Sequence, residues 1–256
     1  MDQFKIIILA AGKGKRMNSN SPKVLLPLRG KPLLLHLLDS VAKSEITEPA
    51  TIVVGIGKEL VQTAAGNDYH YVHQKEQLGT GHAVASAETK LRGKAKYIMV
   101  LYGDHPLLEA RAINKIAKTH LRGNMPITMA TVSVSDFNDW RAGFFDFGRI
   151  VRDKSGEIIR IVEKKDATPV EQSITEINPS YMCFDSEWLW ERLKLLKNDN
   201  AQKEYYLTDL PGIAQKEGLG INSVEIEPEA ALGANTKEQL QILEQILEER
   251  EGGKQI

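Results

Sequence analysis

The chain has 256 residues, of which 42% are hydrophobic and 26% are charged, and its formal net charge is −1. This length and composition are typical of one large globular α/β domain or two small ones, and the near-neutral charge gives no basic field for nucleic acid. A single cysteine, Cys183, excludes an intrachain disulfide, and no apolar run approaches the roughly 18 residues that span a membrane. We therefore expect a cytoplasmic protein that binds neither nucleic acid nor membrane.

Apolar runs alternate with helical patterns up to about residue 135. Strands are predicted at 5–9, 50–54, 69–73, 97–102 and 126–134, and helices at 33–43, 81–91 and 108–120. Short β-branched runs separated by helices are typical of a parallel sheet that is covered on both faces. We therefore expect an α/β fold with a doubly wound, Rossmann-like sheet.

The pattern changes in the second half of the chain. Residues 148–163 contain two strand-like runs joined by a turn at 153–156, and 176–184 is a further strand-like run. Helical patterns return at 188–196, 205–217 and 236–250, the last with Thr236 and Gln239 placed as a capping box. We therefore predict one mixed-sheet unit over 1–235, with 137–185 as a β-rich insertion, followed by a C-terminal amphipathic helix and tail at 236–256.

A basic, glycine-rich loop follows the first predicted strand. Gly12 and Gly14 allow a tight turn whose N–H groups converge on an anion, and Lys13 and Arg16 add positive charge there. This pattern favours a phosphate site, and a solvated basic turn is the alternative. A dinucleotide fingerprint would need a glycine where Met17 stands, and the Walker A pattern is absent.

Lys23 follows Pro22, so its backbone is constrained just before an apolar segment and its side chain can be held toward the loop. The string LAAGKGKRMNSNSPKVL, residues 9–25, resembles the signature of sugar-nucleotide nucleotidyltransferases. Further motifs narrow the resemblance to the pyrophosphorylase domain of the GlmU family, the N-acetylglucosamine-1-phosphate uridylyltransferases, over roughly residues 4 to 250.

The resemblance implies a fold of the nucleotide-diphospho-sugar transferase type and an enzyme, a UTP:sugar-1-phosphate uridylyltransferase. The implied reaction is Mg²⁺-dependent transfer of uridylyl from UTP to N-acetylglucosamine 1-phosphate, which gives UDP-N-acetylglucosamine and pyrophosphate. The implied catalytic residues are Arg16, Lys23 and Asp104.

The second motif is QKEQLGTGHAV, residues 74–84. A glutamine amide can contact a base edge that presents both a donor and an acceptor. A glycine pair before an alanine-rich helix is also consistent with plain capping. The resemblance implies that the nucleotide is bound by Leu9, Ala10, Ala11, Gly12, Gly14, Lys23, Gln74, Gln77, Gly79, Thr80 and Gly81.

Asp104 follows the predicted strand 97–102, at the edge where open α/β sheets bind ligands. A carboxylate beside a triphosphate suits Mg²⁺, and a turn aspartate before Pro106 is the alternative. The resemblance assigns Asp104 to magnesium together with Asn235, which is otherwise a turn residue. His105 stands where a smaller apolar residue is expected, and whether it contacts pyrophosphate or only packs stays open.

Three segments of the predicted insertion, 147–150, 161–168 and 176–178, match family segments that hold the acetamido sugar. Taken alone, the residues at 162–167 are also consistent with a charged strand end. The resemblance implies sugar contacts from Tyr102, Gly103, Gly148, Glu163, Asn178, Tyr205 and Thr208. Pro179 and Ser180 replace the usual Thr-Gly of the family, so a glucose- or galactosamine-type sugar 1-phosphate is the alternative substrate.

Two other functions were weighed against the transferase, and each would require different features of the protein. A non-catalytic nucleotide-sugar sensor has no need of metal ligands, and a nicotinamide dehydrogenase requires NADH binding.

The bifunctional members of the family continue into hexapeptide repeats that form an acetyltransferase domain, and this chain contains no such repeats. We therefore expect either a stand-alone enzyme or a truncated one, as a monomer or a weak homo-oligomer.

Overall fold

The computed structural model describes residues 1–12, 21–234 and 236–251, without the side chain of Glu251. Its strands are β1 Phe4–Ala10, β2 Pro27–Leu28, β3 Lys31–Pro32, β4 Thr51–Val54, β5 His70–His73, β6 Tyr97–Tyr102, β7 Ile127–Ser133, β8 Gly148–Arg152, β9 Ile158–Val162, β10 Glu176–Asn178, β11 Met182–Asp185 and β12 Asn222–Glu225. Its α-helices are α1 Leu33–Ala42, α2 Lys58–Ala65, α3 Thr80–Ala85, α4 Glu88–Leu91, α5 Ala110–Arg122, α6 Pro169–Gln172, α7 Ser186–Leu193, α8 Leu210–Lys216 and α9 Lys237–Glu251.

Ten strands of the described chain form one mixed sheet in the order β5-β4-β1-β6-β11-β7-β10-β8-β9, with β12 paired to β7. The strands from β5 to β6 run parallel, so that Ile8 of β1 lies beside Ile52 of β4 and Leu101 of β6. β11 runs antiparallel between β6 and β7. The predicted α/β fold with a mixed sheet is confirmed.

Strand β1 shows why the sheet is covered on both faces. Ile6 and Ile8 belong to a core that includes residues of α1, α5 and α9, whereas Ile7 and Leu9 belong to a second core with residues of α3, α7 and α8. Successive side chains of a strand point to opposite faces, so an uninterrupted apolar run is buried only if helices pack on both.

The hairpin predicted at 148–163 forms from β8 and β9, but the single strand predicted at 176–184 is divided into β10 and β11. Both lie antiparallel along β7, with Ile177 beside Val132 and Cys183 beside Thr128. Between them Ser180 adopts φ +69°, in the left-handed region. On its other edge β10 pairs with β8 whereas β11 pairs with β6. The sheet therefore divides here into a central part and an outer hairpin.

Other elements differ from the predicted pattern. The helix predicted at 81–91 is divided into α3 and α4, and α2 and β12 were not predicted. β12 is four residues long and pairs in parallel with β7, which is far away along the chain. Its formation therefore depends on that pairing and not on the hydrophobic pattern of its own residues. No helix of the described residues has the length and apolar character needed to cross a bilayer. The division into 1–235, an insertion at 137–185 and a tail stays a prediction.

Arg149 connects the outer hairpin to the segment that precedes it. The residue is fully buried, and its guanidinium donates to the carbonyl oxygens of Phe147, Phe145 (3.0 Å) and Gln172 (3.3 Å). It also lies over the ring of Phe137, 4.7 Å from the centroid. A buried charge must be hydrogen-bonded to be tolerated, so these carbonyls hold the start of β8, and with it Gly148, in place.

Candidate active site

A cleft of about 410 Å³ opens at the carboxyl ends of β1 and β6, the edge where open α/β sheets bind ligands. Most of the residues predicted to bind nucleotide, together with Lys23 and Asp104, meet in it. Its lining residues are Leu9, Ala11, Gly12, Lys23, Val24, Gln74, Gln77, Gly79, Thr80, Ala83, Tyr102, Asp104 and Glu204. The predicted site residues Gly14, Arg16 and Asn235 lie outside the described residues.

Lys23 and Asp104 form an ion pair in this cleft, in which Lys23 Nζ donates to Asp104 Oδ2. Lys23 begins a short 3-10 helix after Pro22, and Asp104 lies two residues beyond the end of β6. Only 12% of the lysine side chain and 17% of the aspartate side chain are exposed. Burial alone would raise the pKa of Asp104, but the charge and hydrogen bond of Lys23 lower it to about 2. The carboxylate is therefore ionised at neutral pH.

This ion pair predicts a pH-dependent contribution of Asp104 to stability. Folding lowers the pKa of Asp104 from 3.8 to about 2, so the contribution is present above about pH 4 and is lost as the pH falls through about 2. By urea unfolding in EDTA, the difference in unfolding free energy between wild type and Asp104→Asn should shrink by on the order of 2 kcal/mol between about pH 6 and about pH 2. The exposed Asp2→Asn should show no such change, and a constant difference for Asp104→Asn would contradict the prediction.

His105 is held by two consecutive hydrogen bonds. Its Nδ1 lies 2.7 Å from Tyr181 Oη, and that hydroxyl donates to the carbonyl oxygen of Ala230 at 2.7 Å. Because the phenol has one hydrogen and Ala230 O can only accept, Nδ1 must be the donor and carry the ring proton. Burial lowers the pKa of His105, so the neutral ring has its lone pair on Nε2, 3.9 Å from Asp104 Oδ1.

Gln74 is buried beneath the loop that begins the helix α3. Its Nε2 donates to the carbonyl oxygen of Gly79 at 3.1 Å and to His82 Nδ1 at 3.0 Å. Both N–H groups of the amide are thus used within the protein. The side-chain Oε1 is left as an acceptor in a residue that lines the cleft.

Gly79 brings the loop of residues 204–207 against this part of the cleft. Its φ is +109°, and a Cβ atom there would lie 2.7 Å from the carbonyl oxygen of Tyr205 and 2.8 Å from Glu204 Cβ. The neighbouring Thr80 Oγ1 accepts from the N–H of Leu207 at 3.0 Å, and Gly81 N–H donates to Tyr205 O at 2.8 Å. Only a residue without a side chain permits this close approach.

Two of the residues predicted to bind sugar line a second cavity. Glu163 and Thr208 line a cavity of about 820 Å³ between β9 and α8, in which Thr208 Oγ1 donates to Glu163 Oε1 at 2.7 Å. Asn178 lies beside Gly148 where β10 pairs with β8. Tyr102 belongs to the first cleft, yet burial and the nearby charge of Glu163 raise its pKa.

Other residues that were predicted to bind nucleotide or sugar contribute backbone hydrogen bonds or core packing. Ala10 is buried in the core on the α1 side of the sheet, and Gly103 N–H donates to the carbonyl oxygen of Leu9 at 3.0 Å. Tyr205 contacts Gly81 through its carbonyl, and its neighbour Tyr206 is the tyrosine that lines the cavity with Glu163 and Thr208. Sequence reasoning did not identify Val24, Ala83, Glu204, Tyr181 or Tyr206. Tyr206 could have been found, because it directly follows Tyr205, a sugar contact that the resemblance implied.

The donor set fits a divalent cation that is held jointly with substrate. The described residues contain no group of three or more His, Cys, Asp or Glu side chains suited to a metal. Mg²⁺ usually takes one or two protein carboxylates and completes its shell with phosphate oxygens and water. The ionised Asp104, whose Oδ1 is not the oxygen that contacts Lys23, meets this requirement.

The family model described as MobA-like NTP transferase domain matches residues 6–206. Bifunctional protein GlmU of Brevibacillus brevis is 40% identical over 251 residues, which are 98% of this chain and 53% of that protein. Bifunctional protein GlmU of Alkaliphilus oremlandii is 42% identical over 249 residues, 97% of this chain and 52% of that protein. The chain thus spans about half the length of these curated relatives.

Solved structures share the fold. CMP:2-keto-3-deoxy-manno-octonic acid synthetase complexed with CTP superposes with a TM-score of 0.70 and 15% identity, over 97% of this chain and 99% of that one. The 4-diphosphocytidyl-2C-methyl-D-erythritol synthase of Anaerococcus prevotii superposes with a TM-score of 0.66 and 16% identity, over 96% of both chains. The family model covers most of this chain, and the resemblance to GlmU seen in its motifs extends over nearly all of it. The chain therefore belongs to the family of MobA-like NTP transferase domains.

Proposed function

We propose that this chain transfers uridylyl from UTP to N-acetylglucosamine 1-phosphate, giving UDP-N-acetylglucosamine and pyrophosphate. The observation that carries the proposal is that Gly12, Lys23 and Asp104 line the same cleft as Gln74 and Gln77. The similarity to GlmU proteins over 98% of the chain supports it further.

The hydrogen bonds of Gln74 support uridine as the nucleoside. Its amide N–H groups are used on Gly79 and His82, which leaves the acceptor Oε1 for a ligand. Uracil presents a donor at N3, whereas cytosine presents an acceptor there. A buried acceptor that faces another acceptor loses its hydrogen bond, so the cleft should discriminate against CTP.

In the proposed reaction, a phosphate oxygen of the sugar phosphate attacks the α-phosphorus of UTP. A new P–O bond forms, the bond to pyrophosphate breaks, and its electron pair leaves with pyrophosphate. The nucleophile is already anionic, so no covalent enzyme intermediate is required. The protein has to align two anions and offset their repulsion, and Lys23 supplies positive charge for this task.

A divalent cation, which we propose to be Mg²⁺, would be held by Asp104 and by Asn235 and would neutralise phosphate charge. Asp104 is suited to that role because it is ionised and part-buried before any ligand binds. Lys23 keeps this carboxylate in a single orientation through its contact with Oδ2.

A second candidate is the same transfer to a sugar 1-phosphate without an acetamido group. Asn178, the residue proposed to bond the sugar, has both side-chain polar atoms directed to Ser180. Its Oδ1 accepts from the Ser180 N–H at 2.9 Å, and its Nδ2 lies 3.4 Å from Ser180 Oγ. An amide committed to its own loop has less capacity for a substrate acetamide, which favours a glucose-type substrate.

Pyrophosphate release over a panel of substrates tests the proposal. We expect kcat/KM to be highest for N-acetylglucosamine 1-phosphate with UTP. It should exceed kcat/KM for glucose 1-phosphate with UTP, and for N-acetylglucosamine 1-phosphate with CTP, by about 10-fold or more. Asp104→Asn, prepared in parallel, controls for contaminating activity. Faster turnover of glucose 1-phosphate would support the second candidate. UTP binding without turnover on any sugar phosphate would contradict the transferase and favour the sensor.

A further inference from the structure

His105 Nε2 and Asp104 Oδ1 face each other across 3.9 Å. Because Nδ1 donates to Tyr181 Oη, it is not available to a ligand, and Nε2 is the ring nitrogen that faces the carboxylate. The separation is also too long for a hydrogen bond. An imidazole nitrogen and a carboxylate oxygen that lie this close together can serve as two ligands of one divalent cation, and a hydrogen bond from the other ring nitrogen is usual for a histidine that binds metal.

The histidine ring has no freedom to turn away. It stacks between the rings of Tyr102 and Phe147, at centroid distances of 5.8 and 6.2 Å, and meets Tyr181 edge-on. A ring flip would also break the hydrogen bond from Nδ1. On its Nε2 side, a Cβ atom at Gly233 would lie only 3.0 Å from Nε2, so the 233 position must be glycine for this ring to fit.

The separation of the two acceptors suits one metal ion. Divalent ions bind oxygen and imidazole nitrogen at about 2.0–2.2 Å, so donors up to about 4 Å apart can share a single ion. Lys23 is placed differently, because its Nζ contacts the other carboxylate oxygen, Oδ2. A cation between His105 and Asp104 would therefore add to the lysine contact and not replace it.

We propose that His105 Nε2 is a nitrogen ligand of the divalent cation held at Asp104. This inference rests on the proposed function, which assigns a cation to Asp104. Imidazole is a better ligand for transition metals than for Mg²⁺. The site should therefore bind Mn²⁺ through one nitrogen and bind it more tightly than Mg²⁺.

Pulsed EPR of Mn²⁺ bound to the full chain with UTP tests the assignment. We expect ¹⁴N modulation from one imidazole in the wild type, replaced by a ¹⁵N signature after labelling with ¹⁵N-histidine. The modulation should vanish in His105→Val and persist in His70→Gln, which removes an exposed histidine of β5. His105→Val should also weaken Mn²⁺ binding by about 10-fold or more, and Mg²⁺ binding by much less.

The outcomes separate this inference from the function on which it rests. Mn²⁺ binding that Asp104→Asn abolishes, without nitrogen modulation in the wild type, overturns the role of His105 alone. Mn²⁺ binding unaffected by Asp104→Asn overturns both the His105 ligand and the cation role of Asp104, and turnover with Mg²⁺ then reports separately on the transferase. The deciding spectrum is that of the wild type, so a folding defect in His105→Val does not obscure the result.

Discussion

Replacing Lys23 with methionine should lower kcat by about 10²–10³ while the secondary structure is retained. Lys23 is part-buried in the cleft and held against Asp104, so its charge is in position before substrates bind. A preorganised charge of this kind stabilises the phosphates in the transition state more than mobile water does. Methionine keeps the length of the side chain and removes the charge. Steady-state pyrophosphate release with circular dichroism measures both parts of the prediction.

Lys94→Met is the matched control, because Lys94 is exposed beyond α4 and does not line the cleft. It should leave kcat within about twofold of wild type, as expected for a surface change away from the site. The double variant Lys23→Met with Asp104→Asn should lose much less than the product of the two single losses, because both residues act on the same phosphates. Near-normal turnover of Lys23→Met would overturn its assigned role.

Gly79→Ala should destabilise the folded chain by about 2–4 kcal/mol and raise the KM for UTP. Two costs add at this position. Alanine is strained at φ +109°, and its Cβ would lie 2.7 Å from the Tyr205 carbonyl oxygen. The displaced loop carries the N–H of Leu207 that Thr80 accepts, so the wall of the cleft should move as well.

Gly93→Ala separates these two costs. Gly93 has φ +73° with no atom within 4 Å of its Cβ position, so alanine there adds strain without collision. We expect about 1 kcal/mol of destabilisation and an unchanged KM for UTP, measured by urea unfolding and initial rates. Equal effects of the two alanine variants would show that the approach of Tyr205 to Gly79 contributes nothing.

Local sequence patterns were sufficient to predict structure wherever the burial of side chains follows their spacing along the chain. The apolar run of β1 indicates a strand covered on both faces, and two such faces were found. The turn between two strand-like runs at 148–163 predicts a hairpin, which β8 and β9 form. The motif strings indicated the family, and the family model and the relatives bear this out. In each case the information lies within one short, continuous stretch of the chain.

Contacts between distant residues were decided by the tertiary structure. Lys23 and Asp104 are 81 positions apart and meet only because β1 and β6 are adjacent parallel strands. The break at Ser180 accompanies the pairing of β10 and β11 with different partners, which the strand-like run at 176–184 does not reveal. Likewise the tautomer of His105 is set by Tyr181 and Ala230. Periodicity states which side chains are buried, whereas strand order and register decide which of them meet.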